Sequence, residues 1–126
     1  MSTPRDLEEE RTARIEAALA GLRELDSDWA DLFRTYVLDG MYTREVLDHR
    51  TRELCAIAAL AVLDRPGPLA DHIKGALRNG ATTDEVLESI LQTSVYGGFP
   101  TALAGTRVFR AVLEELGIPV SEDPRS

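Results

Sequence analysis

The sequence has few of the residues on which metal and redox sites are built. Among its 126 residues are one cysteine, Cys55, and two histidines. A single thiol excludes an internal disulfide and a metal cluster held by cysteines alone. Two histidines without a CxxC motif also argue against a transition-metal site, so we expect no bound metal. Cys55 itself is expected to be a small residue of the core.

Basic charge and long apolar segments are also scarce. The chain carries 14 Lys and Arg against 22 Asp and Glu, which gives a net charge of −8. A nucleic acid or an anionic membrane requires a basic face on its partner, so we expect neither. The apolar run at residues 54–63 is too short to span a bilayer, and the N-terminal residues lack the apolar part of a signal peptide. The expected location is the cytoplasm.

The apolar run at residues 54–63 is the segment around which the other helices are expected to pack. It is rich in Ala and Leu, which favour helix because they lose little side-chain freedom there. Being apolar on every side, it predicts a central core helix at about residues 49–64, with Arg52 and Glu53 near its start. The other helices of one small chain are too few to bury every face of such a helix, so we also predict a homo-oligomer.

Apolar residues at helical spacing predict the rest of an all-α fold of about six helices. The other helices are expected at about residues 5–25, from the caps at 26–28 to Gly40, and at 68–79, 82–96 and 100–116. No segment alternates as a strand does. We predict a single domain over residues 1–126, with its core at about 29–116 and with residues 1–5 and 120–126 flexible. An aromatic stripe in the second helix is expected to pack in the core. It comprises Trp29, Leu32, Phe33, Tyr36 and Val37.

His72 is the most informative candidate for chemistry, because it lies on the apolar face of its predicted helix beside Leu69 and Ile73. It could be a core histidine that is hydrogen-bonded to a backbone carbonyl. It could equally be a general acid or base, since an imidazole exchanges protons near neutral pH. The pattern leaves both interpretations open.

Three further residues are candidates for a functional site, and each also has a purely structural interpretation. Glu53 could be a surface carboxylate that the helix dipole favours, or it could belong to a site. Arg52 could be solvated or could form a fork for a substrate carboxylate. Tyr96, just before Gly97 and Gly98, could line a cleft with its hydroxyl or be buried.

Four segments in series resemble the carboxymuconolactone decarboxylase family over about residues 29–116. They are residues 51–54 (Thr-Arg-Glu-Leu), 72–77 (His-Ile-Lys-Gly-Ala-Leu), 79–86 (Asn-Gly-Ala-Thr-Thr-Asp-Glu-Val) and 96–102 (Tyr-Gly-Gly-Phe-Pro-Thr-Ala). The last resembles the Y-[AG]-G-x-P segment of that family. The resemblance implies the helical fold shared with alkylhydroperoxidase-D-like proteins, assembled as a dimer, trimer or hexamer.

The resemblance also separates two branches of that family. The peroxidase branch has a Glu, a CxxC pair and a His four residues after the second Cys. Glu53 and His72 match its ends, but Arg65 and Pro68 occupy the positions of the two cysteines. A dithiol peroxidase reaction is therefore excluded. The chain is more similar to the decarboxylase branch, which keeps the histidine, lacks the cysteine pair and needs no cofactor.

That branch implies a decarboxylase of a small anionic lactone such as 4-carboxymuconolactone, in the 3-oxoadipate pathway of aromatic catabolism. By resemblance His72 donates the proton, Glu53 orients it, and Arg52 binds the anionic groups of the substrate. Tyr96, from its position before the two glycines, is a further candidate for substrate binding. Two alternatives stay open: a biosynthetic isomerase or dehydratase on the same scaffold, and a non-catalytic binding or assembly protein. One geometric difficulty is that an antiparallel helix pair would leave Glu53 and His72 about 12 Å apart along the axis. Direct contact would then need steep helix crossing or a second subunit.

Overall fold

The structure of the protein is a computed structural model that describes residues 2–120. Within these residues all the regular secondary structure is helical. The helices are α1 (Pro4–Leu25), α2 (Ser27–Arg34), a π-helical segment (Thr35–Met41), α3 (His49–Val62), α4 (Pro66–Arg78), α5 (Thr83–Leu91), α6 (Ser94–Gly97) and α7 (Phe99–Leu116). The all-α prediction is confirmed. None of the helices in this described range is long and apolar enough to cross a membrane.

Side-chain caps explain where two of the helices begin. Thr3 and Asp6 form a capping box at α1, so this helix already starts at Pro4. Thr82 and Glu85 form the predicted box at α5. Residue 1 and residues 121–126, for which flexibility was predicted, lie outside the described residues.

The chain groups into two compact units, residues 1–49 and residues 50–126. In the first unit α1 packs against α2. Arg23 of α1 forms ion pairs with Glu16 on its own helix and with Asp31 of α2. Glu16 also pairs with Arg34 at the end of α2. These charged contacts join the two helices, and Ala30 is the buried residue of α2.

The aromatic stripe of the first unit is on the surface, so its predicted place in the core is wrong for this chain. Trp29 and Tyr36 are 54% and 65% exposed, and Leu32 and Phe33 are also exposed. Helical spacing identifies an apolar face, but it does not tell whether the same chain covers that face.

The core of the second unit is formed by apolar residues of α3, α4, α5 and α7. Its buried members are Ile57, Ala61, Leu69, Ile73, Ala76, Ala81, Val86, Ile90, Phe109, Val112 and Leu113. The approach of α7 to α5 is closest at Gly105, where an added Cβ would lie 2.7 Å from Cγ2 of Ile90. A glycine is required there because the packed helices leave no room for a side chain.

α3 is covered on one side only, which corrects the prediction of a helix wrapped on all sides. Its buried residues are Glu53, Ile57 and Ala61, at the four-residue spacing of one helix face. Cys55 is exposed, so its predicted core position is wrong. An uninterrupted apolar run gives no contrast between faces, and the sequence therefore could not show which side would be buried.

Candidate functional site

The second unit brings Glu53 and His72 into direct contact. Oε2 of Glu53, near the start of α3, lies 2.7 Å from Nδ1 of His72 in the middle of α4. Glu53 is fully buried, whereas the His72 side chain is 24% exposed. Two residues that the sequence singled out separately therefore form one pair within a single chain.

The pair can form because the turn between α3 and α4 lies two residues earlier in the chain than predicted. α3 ends at Val62, nine residues after Glu53, and α4 begins at Pro66, six residues before His72. At 1.5 Å per residue, these lengths differ by only about 4.5 Å along an antiparallel pair. The predicted separation of about 12 Å is therefore wrong, because the helix ends were misplaced by two residues on each side of the turn.

Asp64 makes this short turn possible. It has a φ of 54°, in the left-handed region that aspartate tolerates better than most residues. The next N–H, that of Arg65, donates to the carbonyl of Leu60, and the N–H of Asp64 donates to that of Ala61. This Schellman-type ending satisfies the last carbonyls of α3 and directs the chain into α4.

The geometry rejects the structural alternatives for both residues. Glu53 is not a surface carboxylate, because it has no exposed area. His72 is not a fully buried histidine bonded to a backbone carbonyl, because its Nδ1 meets a carboxylate and part of its ring is exposed. A buried acid bonded to a partly exposed imidazole is an arrangement that suits proton transfer.

The contact also determines which ring nitrogen is available. An ionised carboxylate only accepts hydrogen bonds, so when Glu53 is ionised the donor in this contact is Nδ1–H of His72. This leaves Nε2 as the ring atom that can face a substrate. The same contact fixes the ring plane, as the aspartate does in a catalytic triad.

Arg52 and Tyr96 are not part of this contact. Arg52 is half-buried in α3, but consecutive helical residues project about 100° apart, so it lies on a different face from Glu53. Tyr96 lies in α6 and is 81% exposed, which rules out the buried alternative. In the described part of the chain, no hydrogen bond or ring contact links Tyr96 to His72. Their roles in substrate binding remain predictions.

One buried charged residue was missed by the sequence analysis. Arg11 of α1 is only 6% exposed, and it lines a cavity of about 620 Å³ in the first unit. It follows the acidic residues 8–10, a charged stretch that is typical of a solvated helix face. No signal in the sequence marked it as buried.

The chain is similar to known proteins over most of its length. The model of the carboxymuconolactone decarboxylase family matches residues 27–111. A 4-carboxymuconolactone decarboxylase of Acinetobacter baylyi is 31% identical over 104 residues, which are 82% of this chain and 78% of that protein. A nitrosuccinic acid decarboxylase of Metarhizium robertsii is 24% identical over 102 residues, or 81% of this chain and 71% of that protein. The matched region of the family model includes both Glu53 and His72.

Proposed function

The chain belongs to the carboxymuconolactone decarboxylase family, and on that premise we propose that it is a cofactor-independent decarboxylase of a small anionic lactone. 4-Carboxymuconolactone is the substrate we propose first, because the relative from Acinetobacter baylyi bears that activity in its name. The observation that carries the proposal is the 2.7 Å contact between Glu53 and His72. It supplies an oriented proton donor, which is the group that such a reaction requires of the protein.

In the proposed reaction, the bond between the carboxylate carbon and the ring carbon breaks and CO₂ leaves. The electron pair of that bond moves through the conjugated system onto the lactone carbonyl oxygen and forms a dienolate. A proton is then added to carbon, and the carbonyl is restored. No electron is gained or lost overall, so the reaction needs no redox partner.

His72 is the proposed proton donor. In its imidazolium form it would transfer the Nε2 proton to the dienolate carbon, while Nδ1–H stays bonded to Glu53. The buried carboxylate would stabilise the positive ring electrostatically and keep it in one orientation. Because the ring is 24% exposed, water can restore the Nε2 proton after each turnover.

Arg52 is proposed to bind the substrate's carboxylate groups, since a guanidinium offers paired donors to such groups. Its position next to Glu53 in α3 supports this role. Tyr96 is proposed to bind substrate only within an assembly, because it is exposed on the single chain.

A second candidate substrate is a nitro acid. The relative from Metarhizium robertsii is named for nitrosuccinic acid, in which the nitro group can accept the electron pair that the lactone carbonyl accepts above. The same His72 would then protonate carbon. This alternative changes the electron acceptor and leaves the proposed roles of the protein unchanged.

The direct test is to incubate the purified protein with 4-carboxymuconolactone and to measure CO₂ release together with loss of the substrate. Nitrosuccinate is assayed in parallel to distinguish the two electron acceptors. We expect turnover of at least one of them, without added metal or cofactor. An isomerised or dehydrated product without CO₂ release would favour the isomerase or dehydratase alternative. Binding of either acid without any conversion would favour a non-catalytic binding protein.

A further inference from the structure

The cavity around Arg11 is lined wholly by residues of the first unit and by none of the residues used in the proposed reaction. Its volume is about 620 Å³, within the usual range for small-molecule sites. α1 contributes Arg11 to its wall, and the π-helical segment contributes Leu38 and Asp39. The loop that follows contributes Tyr42 and Asp48. The walls are therefore formed by several separate parts of the unit rather than by one helix.

Arg11 is the group in this cavity that most requires a ligand. Its side chain is 94% buried, and within the described residues its Nη1 atom has no hydrogen-bond partner. The Tyr42 ring lies 5.5 Å from the guanidinium carbon and compensates part of the charge by a cation–π contact. A ring face does not replace an acceptor for the N–H group, however. Burying a charged group with an unsatisfied N–H donor costs free energy unless an anion accepts a hydrogen bond from that donor.

The π-helical segment is a second, independent sign of function at this cavity. It spans Thr35–Met41, and Leu38 and Asp39 from it line the wall. π-helical turns are less favourable than α-helical ones and are frequent at functional sites. Here the wider turn shapes the wall opposite a buried cation.

The charges of the lining residues restrict the class of ligand. Arg34 and Arg44 also line the cavity, and Arg34 is already ion-paired with Glu16. Carboxylates line the cavity as well, among them Glu8, Asp39 and Glu45. A multiply charged anion such as phosphate would be repelled by these acids, whereas a single carboxylate could reach Arg11. The acidic residues would in turn favour an ammonium or hydroxyl donor on the same ligand.

We propose that this cavity is a second ligand site, which binds a small carboxylic acid that also carries an amine or hydroxyl group. Arg11 receives the carboxylate, and the carboxylates that also line the cavity, among them Asp39 and Glu45, receive the donor group. The site shares no residue with the proposed catalytic pair, and its proposed occupant is a ligand other than the decarboxylated substrate.

The test uses four probes: 5-aminovalerate, valerate, pentylamine and inorganic phosphate. The first three share one carbon chain and differ only in whether they carry the carboxylate, the amine or both. Calorimetric titration at low salt should rank 5-aminovalerate as the tightest binder and phosphate as the weakest. This ranking needs no variant. A wild-type protein that binds pentylamine or phosphate as tightly as 5-aminovalerate, or that binds none of the four, would overturn the proposal.

Variants then assign the binding to this cavity. Arg11→Gln should weaken 5-aminovalerate binding by at least about tenfold, because it removes a charge-assisted hydrogen bond. Arg5→Gln is the matched control, since Arg5 lies on the same helix but is exposed and paired with Glu9. The double variant Asp39→Asn, Glu45→Gln should remove the preference for 5-aminovalerate over valerate. Binding that survives Arg11→Gln, or that is lost in His72→Gln, would place the ligand elsewhere and refute the site.

Discussion

At the scale of single residues, the contact between Glu53 and His72 gives the two ring nitrogens different surroundings. Nδ1 is held by a fully buried carboxylate, and in the proposed mechanism Nε2 faces the substrate. A carboxylate with no exposed area is costly to maintain unless it is paired, so the pair stabilises the buried charge as well as the ring orientation.

Glu53→Gln separates the charge of this pair from its shape. The amide oxygen of the variant can still accept a hydrogen bond from Nδ1–H of His72, so the ring can stay in place while the negative charge is lost. We expect kcat to fall at least about tenfold with a smaller change in KM, as for a triad in which the aspartate is replaced by asparagine. Steady-state kinetics over a range of pH measure both effects. An unchanged kcat and pH profile would mean that Glu53 is only a packing residue.

At the scale of secondary-structure elements, α5 and α7 pack tightly against each other at Gly105. The Gly105→Ala change should destabilise the protein by about 1–3 kcal/mol, because Ile90 is stiff and cannot move aside easily. Gly21→Ala in α1 is the matched control, since nothing lies within 4 Å of the added methyl group. It should stabilise by up to about 1 kcal/mol. Denaturant unfolding of both variants measures the difference, and equal stabilities would contradict the packing described here.

The start of α5 gives a prediction about pH. The backbone N–H of Thr82, together with the Arg50 guanidinium, holds the pKa of the Glu85 carboxyl below its usual value. Because folding favours the ionised carboxylate, Glu85 contributes fully to the stability of the folded protein at a pH above the pKa that this group has in the unfolded chain. That contribution to stability is lost as the pH falls through the lower pKa of the folded state.

Wild type should therefore melt above the variant Glu85→Gln at neutral pH, and this gap should narrow below about pH 4. Thermal melts across pH measure it. The control is Glu114→Gln, whose exposed pair with Arg110 spans 3.7 Å and should matter little at neutral pH. A difference in melting temperature between wild type and Glu85→Gln that grows towards low pH would contradict the prediction.

The element scale also shows what the sequence can and cannot predict. The limits of α1 and the cap of α5 could be predicted from the sequence. For α5 the reason is that Thr82 and Glu85 form a local motif that needs no distant partner. The turn after α3 was not readable, since it depends on Asp64 adopting a left-handed conformation for which glycine is the usual residue. That one residue moved the ends of both helices, and with them the predicted distance between Glu53 and His72.

At the scale of the whole molecule, burial was the property that the sequence predicted least well. Trp29 of the aromatic stripe and Cys55 of the apolar run were both expected inside, and both are exposed on the single chain. A hydrophobic pattern specifies that a face should be covered, but it does not specify by which copy of the chain. Arg11 shows the reverse case, a charged residue that the fold buries without any sign in the sequence.

The exposed apolar surface supports the predicted homo-oligomer. Val95, Tyr96 and Phe99 are 78%, 81% and 77% exposed and lie within five residues of one another. Phe99→Glu should weaken association while sparing α7, because a carboxylate suits the first turn of a helix. Light scattering at micromolar concentration should find an assembly for wild type and smaller species for the variant. A wild-type mass of 13.9 kDa would contradict the prediction.

The central claim is that His72 donates the proton in a decarboxylation, and His72→Gln tests it most directly. The measurement is a thermal melt and a rate of CO₂ release from 4-carboxymuconolactone on the same preparation, with Cys55→Ala as the exposed control. We predict that His72→Gln stays folded within about 1–2 kcal/mol of wild type. Its turnover should fall at least about a hundredfold, while the control keeps its rate. A His72→Gln variant that is destabilised yet releases CO₂ at the wild-type rate would contradict the account.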